Sequence, residues 1–185
     1  MNPPNTSREE IMRVSRKIVS EKGLPALNMR ALAKECGIAL GTLYNYYSDK
    51  DELVVAAIES VWQDILEKSA PDSGVRFSQY VMHIYARILS GLKDYPDFFA
   101  AHSISVAGSA KGKARGTMER CFGKIRGELH AALREDKNVD RSIFSETFRE
   151  EDLIEHILDT ITISIINGKP DCAVLTEILD RLLYR

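Results

Sequence analysis

The sequence predicts an all-α protein of about nine helices, built as a small N-terminal three-helix head and a larger helical body. Three observations carry this. Apolar residues recur at helical spacing through nearly all of the 185 residues, marking one face of helix after helix. No stretch alternates apolar and polar residues as a half-buried strand would. Turn chemistry punctuates the pattern at Gly23 and Pro25, at Gly37, from Pro71 to Gly74, and in the "NGKPD" of residues 167–171.

The elements follow in order. Thr6 or Ser7 can cap a first helix, with Glu9 or Glu10 three residues on as in a capping box. Ile11, Val14 and Ile18 mark its inner face, widened by Met12 and Val19. Gly23 ends it and Pro25 prevents its return. Asn28 can cap a short second helix, "MRALAKEC", which Gly37 stops, and a third follows in "LGTLYNYY". Ser48 and Asp49 open a fourth that runs to about Lys68, with Val54, Ile58, Val61 and Ile65 inward. In the next helix Phe77, Val81, Ile84 and Ile88 form one apolar face and Met82, Tyr85 and Leu89 a second, so it is expected to lie centrally. Pro96 begins another helix through about Ser105. "GSAKGKARG", residues 108–116, reads as a basic glycine-rich loop or a frayed helix end. Helices are expected at about 117–135, 148–167 and 171–184.

Formal net charge is −2, so the whole chain is no polycation. Residues 1–50 hold eight Lys/Arg against five Asp/Glu, and residues 51–185 hold seventeen against twenty-two. A mildly basic head on an acidic body lets the head meet an anion such as nucleic acid. Cys36, Cys121 and Cys172 are odd in number and far apart, as expected of free thiols in a reducing compartment. The N-terminus lacks the apolar core of a signal peptide, and the longest apolar run, near "ITISII", is too short to span a bilayer. A cytoplasmic chain is expected.

Residues 28–47 have the logic of a helix-turn-helix. Ala33 is small where two helices must cross, Gly37 can take the positive φ of the turn, and Leu32, Ile38 and Leu43 can bury together. An ordinary helical hairpin would look similar, so the local chemistry decides. With Leu43 inward, Thr42, Asn45 and Tyr46 lie outward, offering a hydroxyl, an amide and a phenol to phosphates or base edges. Gly41 lets the backbone approach closely. Lys50 sits in the first turn of the fourth helix, where the macrodipole disfavours a cation unless a phosphate is shared there. Tyr44 and Tyr47 are expected to brace the hairpin with their rings, while Tyr46 offers its hydroxyl to the DNA backbone.

"NMRALAKECGIALGTLYNYYSDKDEL" resembles the DNA-binding region of the tetracycline-repressor-like (TetR) family of bacterial transcription regulators. The matching signals are Arg30, Leu32-Ala33, Gly37, Gly41-Thr42-Leu43-Tyr44, the aromatic Tyr47, and Lys50 followed by Glu52-Leu53. With the first helix and Gly23, the resemblance covers roughly residues 7–55. Three positions depart from the family's usual pattern. Ala39 stands where Ser or Thr usually starts the recognition helix, which loses a side-chain cap. Leu40 stands where a polar residue is common and can touch a thymine methyl. Tyr47 replaces a usual Phe.

The resemblance implies a DNA-binding domain at residues 1–49 and an effector-binding and dimerisation domain at 50–185. It implies a homodimer on a pseudo-palindromic double-stranded operator, most often a repressor, released by a small-molecule effector. The implied DNA-facing residues are Arg30, Leu40, Gly41, Thr42, Tyr44, Asn45, Tyr46 and Lys50. For the dimer, the broad apolar stripes of the last two helices point to Ile157, Ile161, Ile165, Leu175, Ile178, Leu179 and Leu182. For a hydrophobic effector, the candidate lining is Tyr80, Ile84, Tyr85, Ile88, Phe98, Phe99, His102, Met118 and Phe122, although plain core is the more ordinary role for any one of them. No cofactor and no metal is expected, since the four histidines show no ligand spacing. An enzyme is the first rival, because "GSAKGKA" faintly echoes a phosphate-binding loop. It is one residue short between its glycines, has Ala114 where a hydroxyl should hold magnesium, and follows no strand. The other rival is a helical protein-interaction module that keeps the hairpin only as scaffold.

Overall fold

The computed structural model describes residues 6–67, 74–96, 98 and 111–184, and of residues 111–118 and 121 the backbone alone. The described residues are all-helical, with eight α-helices and two short 3-10 turns. We number the helices α1 (Arg8–Lys22), α2 (Met29–Glu35), α3 (Leu40–Tyr44), α4 (Lys50–Glu67), α5 (Phe77–Lys93), α6 (Lys111–Glu135), α7 (Glu150–Ile166) and α8 (Ala173–Leu183).

Most boundaries fall where capping chemistry puts them. Ser7 caps α1 by accepting from the Glu10 amide at 3.1 Å, while the Glu10 carboxylate turns instead to Arg13. Gly23, at φ 78°, closes α1 by donating to Val19 O. Two expectations need correction. α3 ends at Tyr44, not at Tyr47, because the amides of Asn45 and Tyr46 bond back three residues, to Thr42 O and Leu43 O. This is the tightened last turn of a helix that is stopping. α6 begins at Lys111 and not near 117, so residues 111–116 are helical, as the helix-end reading of 108–116 allows, while residues 108–110 lie outside the described residues. The helix expected from Pro96 to Ser105 lies outside the described residues except at Pro96 and Phe98, and so do residues 71–73 of the expected break.

The chain divides into two compact units: Met1–Ile65 with Gly91–Glu119, and Leu66–Ser90 with Arg120–Arg185. The first takes in most of α4 and residues 91–119 besides the segment expected as the head. Its core holds Ile11, Ile18, Leu27, Leu32, Leu43, Leu53 and Val61, each at most 3% exposed. Such side chains contribute about 1.5–3 kcal/mol each through burial. α4 and α5 cross closely here, since a Cβ on Gly91 would lie 2.7 Å from Ile65 Cγ2.

In the second unit, Ile84, Ile125, Leu129, Ile154 and Ile157 are buried. A polar knot fixes the start of α5. One oxygen of Asp136 accepts from the Phe77 amide at 2.9 Å and from the Tyr184 hydroxyl at 2.6 Å. The other accepts from the Asn138 amide at 2.9 Å. Burial pushes the Asp136 carboxyl up, but these hydrogen bonds outweigh it and hold it below the usual carboxylate range. Burial, and then the bond to Asp136, push the Tyr184 phenol up to about 12. Ser78 adds a bond to Asp180 at 2.6 Å, tying α5 to α8. Arg87 joins α5 to α6 through Glu128 at 2.6 Å.

Candidate nucleic-acid interface

Asn28 starts the hairpin. Its side-chain oxygen accepts from the Ala31 amide at 2.9 Å and its amide donates to Ala26 O at 3.1 Å. α2 buries Met29, Leu32 and Ala33. The turn then passes through Gly37 at φ 65°, a conformation that favours glycine. The Ile38 amide returns to Ala33 O at 3.0 Å, and α2 packs on both α1 and α3. α3 buries only Leu43. Gly41, Tyr44 and Asn45 stand exposed, with Leu40 and Thr42 half-buried beside them. Arg30 is exposed on α2. Ala39 is the N-cap of α3 and makes no side-chain hydrogen bond, so the helix start lacks the cap a Ser or Thr would give.

Gly41 carries a signal of its own. A Cβ there would meet nothing within 4 Å, and Gly41 is not among the positive-φ glycines. A helical glycine costs about 1 kcal/mol relative to alanine. Neither packing nor backbone conformation accounts for it.

The tyrosines divide differently from the expectation. Tyr47 is the brace, 2% exposed, with burial as the main cause raising its phenol pKa. Tyr44, expected beside it as a second brace, is 49% exposed. Tyr46 donates its hydroxyl to Thr6 O, so the group expected to meet DNA is engaged within the chain. Arg8, which the sequence reading missed, completes the contact. It donates to Tyr46 O at 2.9 Å and sits 5.2 Å over the Tyr47 ring. The start of α1 is thereby clamped to the end of α3. No local pattern announces this pairing across 38 residues.

Lys50 is exposed at the first position of α4. Asp49 accepts from the Glu52 amide at 2.7 Å, and Glu52 accepts from the Ser48 amide and hydroxyl at 2.8 Å each. Asp49 thus caps one amide of the first turn, and the two carboxylates offset the lysine's unfavourable place in the macrodipole.

The body residues separate as well. Ile84, Tyr85, Ile88 and Phe98 are at most 3% exposed. Tyr85 donates to Lys169 O at 2.8 Å. Phe98 packs edge-on to Trp62, with ring centroids 6.1 Å apart. Tyr80 lines a surface groove with Glu128, Ala131 and Asp136, and Phe122 is half-buried. Phe99, His102 and the Met118 side chain lie outside the described residues. Of the expected interface set, Ile157, Ile161, Leu175 and Leu179 are buried within the chain's own second unit. Ile165 is half-buried, whereas Ile178 and Leu182 are 55% and 38% exposed. Val174 on α8 and Ile163 and Ile166 on α7 are also exposed. Val174, Ile178 and Leu182 line an apolar groove of about 530 Å³ with Phe148 and His156. α7 and α8 each use one side of the stripe to fill the chain's second unit.

These features define a helix-turn-helix protein with a helical body. Residues 11–57 match the family model described as bacterial regulatory proteins, tetR family. An uncharacterised HTH-type transcriptional regulator of Haemophilus influenzae (strain ATCC 51907 / DSM 11121 / KW20 / Rd) is 32% identical over 99 residues, which are 47% of this chain and 53% of that protein. The chain thus spans about half the length of that curated relative. The fold is shared with a crystal structure of the multidrug binding protein EbrR in complex with imidazole, at TM-score 0.65 and 17% identity over 96% of this chain and 95% of that one. It is shared equally with BioQ bound to its natural double-stranded DNA operator, at TM-score 0.65 and 16% identity over 94% and 95%. Over residues 11–57 the chain is thus similar to a family of bacterial regulatory proteins, and over 47% of its length to a transcriptional regulator. Among the described residues no helix is long and apolar enough to cross a membrane.

Proposed function

We propose that this protein is a repressor that binds a pseudo-palindromic operator as a homodimer and is released by a small hydrophobic effector. The observation that carries the reading is the outer face of α3, where Gly41, Tyr44 and Asn45 stand exposed over a buried Leu43. Thr42 and Asn45 can hydrogen-bond to base edges or phosphates, and the half-buried Leu40 can meet a thymine methyl. Tyr44 takes the phosphate-contacting place first given to Tyr46, whose hydroxyl is engaged. Arg30 and Lys50 supply cations on either side, and Gly41 lets the DNA backbone come close.

The exposed apolar row Val174, Ile178 and Leu182 supports two-fold pairing, because α7 and α8 of two subunits can close into a four-helix interface. The family model and the fold shared with an operator-bound BioQ support DNA as the partner; the fold shared with EbrR supports a ligand in the body. An effector acts only if it binds the DNA-incompetent state better. Tyr80 and Phe122, both partly accessible, are the candidates through which it would enter. The test is selection from a random duplex library by the purified full chain. Enrichment of a two-fold symmetric site, bound in a salt-dependent manner, is the expected result. Absence of any enriched duplex would leave a helical interaction module and remove the reading.

A further inference from the structure

We propose that Asp64 is a positioning residue for the DNA-binding head, linking α1 to the chain just after α5 and thereby setting the half-site spacing the protein accepts. The inference rests on the DNA-binding reading above. It comes from one carboxylate shared between two distant segments of the first unit. Asp64 Oδ2 accepts from the Tyr95 hydroxyl at 2.8 Å. Asp64 Oδ1 lies 3.8 Å from Arg16 Nε, on α1 of the head. The other end of the Arg16 guanidinium donates to Ser60 Oγ at 2.5 Å. Ser60 and Asp64 are one turn apart on α4, so the flat guanidinium spans that turn and fixes α1 both along α4 and around it.

The far side of the link is held firmly. Tyr95 is 5% exposed and lies 6.2 Å from Phe98, which packs in turn on Trp62. Gly91 presses against Ile65 one residue beyond Asp64. The end of α5 and the turn after it therefore grip α4 at Trp62, Asp64 and Ile65, and Asp64 carries that grip on to α1. The Arg16–Asp64 pair is about one-third exposed, with side-chain accessibilities of 29% and 33%. Such a pair contributes little to stability. What it does fix is orientation, and in a two-headed binder a small rotation of each head about α4 changes the distance between recognition helices. Tyr95 is 5% exposed, so it would influence site choice without touching DNA.

The experiment uses the full chain and a panel of duplexes that carry the half-site selected by the wild-type protein, in inverted pairs at stepped centre-to-centre spacings. A single half-site duplex serves as reference. Tyr95→Phe removes only the hydroxyl. It is expected to weaken binding at the preferred spacing by about two- to thirtyfold, to move or flatten the spacing profile, and to leave the single half-site unchanged. Asp64→Ala should do the same, and adding Tyr95→Phe to it should produce no further change. Where Asp64→Ala fails to fold, Arg16→Gln takes its place in the cycle. A plain structural brace gives the opposite pattern: thermal melting falls while the folded variant keeps the wild-type spacing profile, and that result overturns the proposal. If the wild-type chain binds no duplex, the DNA-binding reading fails and this one falls with it. If the wild type binds and Tyr95→Phe matches it across the panel, only this one fails.

Discussion

Gly41 and Tyr46 show how two residues of one short helix can be separated by the space around them. Gly41 has an open side and ordinary helical backbone, so Gly41→Ala should raise the stability of the head by about 0.5–1 kcal/mol while weakening operator binding. Chemical denaturation and binding titrations on one preparation check both signs, and a variant that is stabilised and binds normally would remove the close-approach argument. Tyr46→Phe should behave in the reverse sense. It strips the donor from Thr6 O, so stability should fall by about 0.5–1.5 kcal/mol, with binding affected only through the α1–α3 clamp. Lys50→Ala should weaken binding to all sequences alike and reduce the salt slope by about one ion per subunit. Titrations at several salt concentrations read this directly, and an unchanged slope would remove Lys50 from the interface.

α5 depends on groups contributed from far along the chain. Its first amide, from Phe77, is held by Asp136 and by Tyr184, which is 107 residues away. Asp136→Ala would leave that amide and a phenol short of an acceptor, at a cost of about 1–3 kcal/mol. The pH dependence follows from the direction of each shift. Folding lowers the Asp136 carboxyl pKa, so its contribution is complete above the ordinary value of about 3.9 and is lost as pH falls through the folded value. Folding raises the Tyr184 phenol, so its contribution is complete below about 10 and disappears as pH rises through about 12. Melting curves of wild type and Asp136→Asn across the acid range should converge as pH drops. Parallel curves would show that the carboxylate does not titrate with folding.

Assembly is read from what a single chain leaves uncovered. Ile161 and Leu179 are 2% and 1% exposed, so a charge at either would attack the subunit's own core before any interface. Ile178 is 55% exposed, and Ile178→Glu should therefore leave the chain folded, turn a dimer into a monomer, and abolish tight binding to a two-fold operator. Sedimentation and circular dichroism of the same sample separate dissociation from unfolding. A wild-type protein that sediments as a monomer at micromolar concentration would sink the dimer reading.

The all-helical architecture was legible because apolar periodicity, Gly23, Gly37 and the caps Ser7 and Asn28 are local signals that act within one turn or the next. The hairpin at residues 28–47 was legible for the same reason, since its turn, its small crossing residue and its buried Leu43 lie close together in sequence. What the sequence could not decide was which side of each apolar stripe is buried within the chain itself. Ile178 and Leu179 are neighbours of the same chemistry, yet one is exposed and the other sealed, because only the packing of α8 on its own unit selects between them. Tyr44, Tyr46 and Tyr47 were equally alike as letters. Arg8, arriving from 36 to 39 residues earlier in the chain, helped assign their roles. Contacts between distant segments carry no local period, so tertiary structure alone decided the clamp of α1 on α3, the knot at Asp136 and the sharing of Asp64.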